Sequence, residues 1–216
     1  MRLRLTFSKS GSLRYIGHLD LHSLWERTVR RAGLPLAYTQ GFHPGPKIQL
    51  ASALPLGFIG CAEIVDLWII DSPDSLDRPY KELLQSASPP GLAISALEVV
   101  DEHGPALQTQ VVSAEYDVTF LEPVSALKLA AGITNLLSTA SLPRERRGKT
   151  YDLRPLVEML ELHPGEGSNP SHLHMILAAR EGATGRPEEV LDVLGTPFET
   201  SRIERTRLIL RKNDLN

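Results

Sequence analysis

The chain has 216 residues, 42% of them apolar and 23% charged, with a net charge of −3. That composition suits a soluble globular protein of one large or two small domains, and no run approaches the roughly 18 apolar residues that span a bilayer. Cys61 is the single cysteine, which excludes an intrachain disulfide or a thiolate-held iron–sulfur cluster, so no cofactor is assigned to the chain itself.

Charge is segregated along the sequence. Residues 1–50 hold eight basic side chains against Asp20 and Glu26, a local +6, whereas residues 51–142 carry a local −9. Such asymmetry points to one face for an anionic partner and solvating charge elsewhere. The opening Met-Arg-Leu-Arg-Leu-Thr-Phe alternates like a strand instead of forming a basic n-region and an apolar h-region. No signal peptide is read there, and a cytoplasmic location is expected.

In chain order, Arg2–Phe7 alternates as a half-buried strand and Ser10-Gly11-Ser12 turns the chain. Leu21, Leu24, Trp25, Thr28, Val29 and Ala32 recur at helical spacing over 19–32, and Gly33 and Pro35 stop that helix. Arg27, Arg30 and Arg31 lie off its apolar stripe and are expected to share one side. Strands are expected at 36–39, 47–53 and 62–70, then a helix over 75–87 and a strand over 92–100. The order β-α-β-β-α-β is that of a ferredoxin-like fold.

The second half repeats the rhythm. A strand is expected over 112–121, a helix over 124–140, a strand over 172–179 with His172 and His174 on one face, a helix opening at Pro187 and closed by Gly195, and a last strand over 201–211. The basic run Arg144-Glu145-Arg146-Arg147-Gly148-Lys149 precedes a segment, 151–155, whose structure the pattern leaves open. Such runs are commonly solvated loops, and nucleic-acid contact is the alternative. The expected architecture is α+β: two tandem ferredoxin-like halves, a domain over 1–100, a linker over 101–110 marked by Gly104-Pro105, and a second domain over 111–216.

Two motifs carry the chemistry of the first half. In His18-x-Asp20-x-His22 the triplet is compatible with a metal, but capping of the 19–32 helix by Asp20 is the favoured reading, and no metal is assigned. His18, just before that helix, is placed to face a bound anion. In Tyr38-Thr39-Gln40-Gly41-Phe42-His43-Pro44-Gly45-Pro46-Lys47 the glycines and prolines bend and stiffen a loop. Phe42 is either displayed there or tucked under the sheet. His43 and Lys47 suit phosphate, and His43 also suits acid–base chemistry. Cys61 is read as a small buried filler. Nucleotide-hydrolysis, dinucleotide, nucleophile-elbow and zinc-ribbon motifs are absent from the sequence.

The segments Lys9-Ser10-Gly11, Arg14-Tyr15-Ile16-Gly17-His18-Leu19-Asp20, Arg30-Arg31-Ala32-Gly33-Leu34-Pro35, Tyr38–Lys47 and Ala51–Gly57 resemble the uncharacterised radical-SAM-linked protein family, a domain of unknown function. The resemblance implies a radical-SAM protein as partner, which would supply the three-cysteine cluster site, and a family setting near genes for ribosomal proteins and an RNA-processing nuclease. It implies a division of labour in which this chain recognises substrate.

The reading that follows is an RNA-binding accessory subunit, non-catalytic, presenting Arg14, Tyr15, His18, Arg27, Arg30, Arg31, Gln40, Phe42, His43 and Lys47 to RNA. Two alternatives stay open: a stand-alone enzyme on a phosphorylated substrate using His18 or His43, and a protein-docking partner of the radical enzyme.

Overall fold

Alternation at period two makes Arg2–Lys9 the first strand, β1, with Leu3, Leu5 and Phe7 fully buried on one face. The computed structural model describes residues 1–70, 78–163, 165 and 171–211, which fall into two compact units, Met1–Val111 and Val112–Asn216. Each unit is mixed α and β.

In the first unit a 3-10 turn, Gly11–Tyr15, leads to α1 (His18–Arg31), then β2 (Ile48–Leu50), β3 (Ile59–Trp68), α2 (Tyr80–Ala87), β4 (Leu92–Val100) and α3 (Leu107–Gln110). The strands lie in the order β2-β3-β1-β4, with every neighbouring pair antiparallel. α1 buries Leu21, Trp25 and Val29, and the Trp25 ring meets Phe7 edge-on at 5.0 Å. Gly33, at φ +67°, ends the helix in a left-handed conformation that spares a side chain the usual strain. Leu34 N–H there bonds Val29 C=O at 3.2 Å and Gly33 N–H bonds Arg30 C=O at 3.1 Å, so the last carbonyls are satisfied.

The first unit also buries charge. Asp66 is fully buried and accepts four hydrogen bonds, from Arg2 Nε (2.9 Å) and Nη2 (2.6 Å) and from Arg4 Nε and Nη2 (both 2.9 Å). The Asp66 hydrogen bonds hold the Arg4 guanidinium above its ordinary pKa. Lys9, also buried, donates from Nζ to Ile16 C=O at 3.1 Å. Three of the eight basic residues of the first fifty are therefore framework, and the exposed charge of that segment is smaller than its sequence count.

Residues 101–110, expected as a linker, are part of the first unit's packing. Arg2 donates to the carbonyls of Asp101, Gly104 and Pro105, Leu107 is fully buried, and its N–H bonds Gln49 Oε1 at 2.9 Å. A polar, turn-rich stretch read as a spacer is instead the acceptor for a buried arginine.

The second unit runs β5 (Val111–Phe120), α4 (Ala126–Ser138), β6 (Pro143–Arg146), β7 (Lys149–Asp152), a 3-10 turn at Arg154–Leu156, β8 (Val157–His163), β9 (His172–Arg180), β10 (Ala183–Thr184), α5 (Pro187–Val193), a 3-10 turn at Phe198–Thr200 and β11 (Ser201–Leu210). β9 pairs antiparallel with β5, β8 and β10, and β11 lies on the other side of β5. Leu129, Ile133 and Leu136 of α4, Leu173, Met175 and Leu177 of β9, and Val190 and Leu191 of α5 are buried. The basic run, expected as an open loop, is the hairpin β6–β7.

Other expectations shift locally. The expected strand at 36–39 is reduced to isolated bridges Leu36↔Ile69 and Tyr38↔Pro46, since Pro35, Pro44 and Pro46 remove ladder donors. The start of the expected 75–87 helix lies outside the described residues. Cys61 is exposed, not buried: a register shift between Phe7 and Lys9 sets Gly60, not Cys61, opposite Lys9, and Gly60 takes the buried position. Among the described residues no helix is long and apolar enough to cross a membrane.

Candidate nucleic-acid interface

The first turn of α1 is organised by Asp20, which stands three residues inside the helix. Its Oδ2 accepts the N–H of Gly17, the residue before the helix, at 3.3 Å. The sequence expectation that Asp20 is itself the cap is corrected. Gly17 holds that position and Asp20 reaches back to it, as an acidic residue does in a capping box. His18 opens the helix and is exposed, while His22 is half-buried one turn on. Among the described residues, no group of three or more His, Cys, Asp or Glu is placed to hold a metal ion.

Arg14 and Tyr15 occupy the 3-10 turn just before α1. The Arg14 guanidinium lies 4.7 Å from the Tyr15 ring centre and donates to the Tyr15 hydroxyl. Arg14 is half-buried and Tyr15 is exposed, so a flat ring and a cation are held together at the surface. The turn is anchored by Ser10 N–H to Gly91 C=O at 2.9 Å and by Gly57 N–H to Arg14 C=O at 2.8 Å. Gly91 has no room for a side chain there: a Cβ would sit 2.6 Å from the Ser10 carbonyl oxygen, and φ is +91°.

The three arginines of α1, at i, i+3 and i+4, stand within about 100° of the helix circumference, but they border two different hollows. Arg27 and Arg31, one turn apart, line a depression of about 340 Å³ with Asp20, Leu24 and Pro89. Arg30 lines a different hollow with Leu34, Leu36 and Tyr38 and is paired to Glu26 at 2.7 Å. What sets Arg30 apart is its ion pair one turn back, on Glu26.

The segment 38–47 forms a closed loop. Thr39 N–H bonds Gly45 C=O at 2.8 Å, Gly45 N–H returns to Thr39 Oγ1 at 3.0 Å, and Lys47 N–H bonds Ala37 C=O at 2.8 Å. Above that neck Gln40, Phe42 and His43 are all exposed, and Phe42 is completely so, at 102%. Of the two readings of Phe42, display on the loop is the observed one. Lys47 lies at the base, half-buried, with Nζ 5.2 Å from the Trp68 ring centre. Arg2 lies over the same ring at 4.6 Å. Trp68, absent from the sequence-derived set, thus helps seat Lys47. Its only signal was membership of an apolar strand.

Residues 2–187 match the model of DUF2344, described as an uncharacterized protein conserved in bacteria, and the chain belongs to that family. No curated protein matches the sequence. The chain is similar to one in the crystal structure of a Cbf5-Nop10-Gar1 complex, at 10% identity and a TM-score of 0.52, covering 98% of this chain and 50% of that one. It is also similar to one in a structure of an H/ACA RNP bound to a substrate RNA containing 2'-deoxyuridine, at 11% identity and a TM-score of 0.48, covering 98% and 49%. The chain spans about half the length of these solved chains. At such identity the likeness concerns fold alone.

Proposed function

We propose that this member of the DUF2344 family is a non-catalytic RNA-binding accessory protein, with Arg14, Tyr15, His18, Arg27, Arg31, Gln40, Phe42, His43 and Lys47 as its RNA-contacting set and Arg30 at its margin. The observation that carries the reading is Phe42, a wholly exposed ring on a loop whose neck is closed by three backbone N–H bonds. An apolar ring held in water gains nothing by folding. A nucleobase stacked on it gains about 1–3 kcal/mol. Tyr15, already under the Arg14 guanidinium, offers a second platform, and Arg27 and Arg31 offer two charges for phosphate oxygens.

We also take each unit as ferredoxin-like, 1–100 and 111–216 being the two halves. The β-α-β-β-α-β order and β2-β3-β1-β4 arrangement of the first unit support this. In the second, β8, β9, β5 and β11 take the corresponding places, with hairpin β6–β7 inserted after α4. The radical-SAM partner, to which the RNA would be presented, rests on the sequence resemblance alone.

The test is fluorescence anisotropy of single-stranded oligoribonucleotides at several salt concentrations. Phe42→Ala is expected to weaken binding by about 1–3 kcal/mol at every salt. Arg27→Ala with Arg31→Ala is expected to lower the salt slope by about two. All three side chains are exposed, so thermal melts should be unchanged. Wild-type affinity and slope in both variants would remove RNA from the account and favour a protein that docks on the same ring.

A further inference from the structure

We propose that the second unit contains a separate site for a phosphorylated ligand of nucleotide size, seated between hairpin β6–β7 and the β10–α5 connection. None of its residues belongs to the RNA-contacting set.

A cavity of about 680 Å³ lies there, within the range of small-molecule sites. Its lining includes four cationic side chains, Arg146, Arg147, Lys149 and Arg186, with the Tyr151 ring and one carboxylate, Asp152. That carboxylate is already engaged: it accepts Leu142 N–H at 2.7 Å and Arg154 N–H at 3.0 Å. The Leu142 bond is the main reason its pKa lies below the usual range. Asp152 therefore staples the base of the hairpin and leaves the cations in excess. Burial, and then the neighbouring Glu189 carboxylate, raise the Tyr151 pKa.

Two further observations point to a ligand. Arg146 Nη1 is buried without a hydrogen-bond partner among the described residues, although a buried polar atom ordinarily has one. Arg147 stands at φ +50°, the only described non-glycine residue with positive φ, and Gly148 follows at +72°. Both belong to the two-residue turn between β6 and β7, a position that favours Asn or Gly. An arginine there is held in a disfavoured conformation beside three other cations, an arrangement that costs stability unless an anion offsets it. The hairpin is also prevented from swinging away, because Arg144 pairs with Glu189 at 3.2 Å and with Asp192, both on α5. The cations thus stay directed to one cavity, as recognition of a phosphate group requires.

The experiment is isothermal titration of the full chain with inorganic pyrophosphate and with AMP, repeated on the double variant Arg147→Ala/Lys149→Ala. Both side chains are exposed, and a melt checks that the variant folds. Saturable binding of one equivalent is expected, weakened in the double variant by about tenfold or more for each contact removed. Phe42→Ala should leave this binding unchanged, so failure here and failure of the RNA reading are separable. Displacement of AMP by a 5'-phosphorylated oligoribonucleotide, but not by its 5'-hydroxyl form, would assign the phosphate to an RNA end. AMP binding that neither oligonucleotide displaces would assign it to a free nucleotide. Absence of saturation by either probe at about 10 mM, or equal affinity in the double variant, would overturn the site.

Discussion

A single buried carboxylate decides how the charge of the first fifty residues is to be counted. Asp66 neutralises part of Arg2 and Arg4 inside the first unit. Asp66→Ala would leave two guanidinium groups with little compensation, and a loss of about 3–5 kcal/mol in urea unfolding is expected. A loss under about 1 kcal/mol would show that water reaches the pair. None of this was legible in the sequence, because Arg2 and Asp66 meet only through the β1–β3 register. Glu188 gives a residue-scale test of opposite sign. Burial raises its pKa above 4.5, with Arg146 working against the shift and Glu189 adding to it. A carboxyl whose folded pKa is raised is neutral in both states at low pH. It costs stability once pH rises above the unfolded value, because the folded state then holds more protons than the unfolded one. Glu188→Gln is therefore expected to raise the melting temperature at pH 7 and to lose that advantage by pH 4. An equal effect at both pH values would contradict the assignment.

Among the elements, those with unbroken periodicity were readable. β4 begins and ends at the expected residues, Leu92 and Val100, and α1 stops where Gly33 and Pro35 said it must. β8 was not read, because a register shift between Val157 and Met159 breaks the alternation that marks a strand. The hairpin β6–β7 was concealed by its charge: four of the six residues from 144 to 149 are basic, which suggests solvent before it suggests a strand. Its anchorage to α5 rests on Arg144, whose guanidinium is held above its ordinary pKa by the hydrogen bonds it donates to Asp192 and Glu189. Arg144→Ala should loosen the hairpin and leave the rest folded. Amide hydrogen exchange over 143–152 is expected to rise about tenfold, with the amides of β1 and β3 unchanged. Unchanged exchange in the hairpin would mean that Asp152 alone suffices to hold it.

At the scale of the molecule, the candidate surface was legible as composition but not as geometry. The basic, glycine- and proline-rich character of the first fifty residues identified the unit that would carry it. The pairing of Arg30 with Glu26, the burial of Arg2 and Lys9, the binding of Arg4 to Asp66, and the seating of Lys47 on Trp68 depend on neighbours that a linear reading does not supply. The exposed candidates are two arginines on α1, the Arg14–Tyr15 stack, and a closed loop that displays a bare phenylalanine. The most direct test of that surface is ultraviolet cross-linking of the full protein to cellular RNA, followed by peptide mapping. The account predicts cross-links within residues 14–47, centred on Tyr15 and Phe42 and lost from the loop in Phe42→Ala. Cross-links confined to the second unit, or none above a non-binding control, would contradict it.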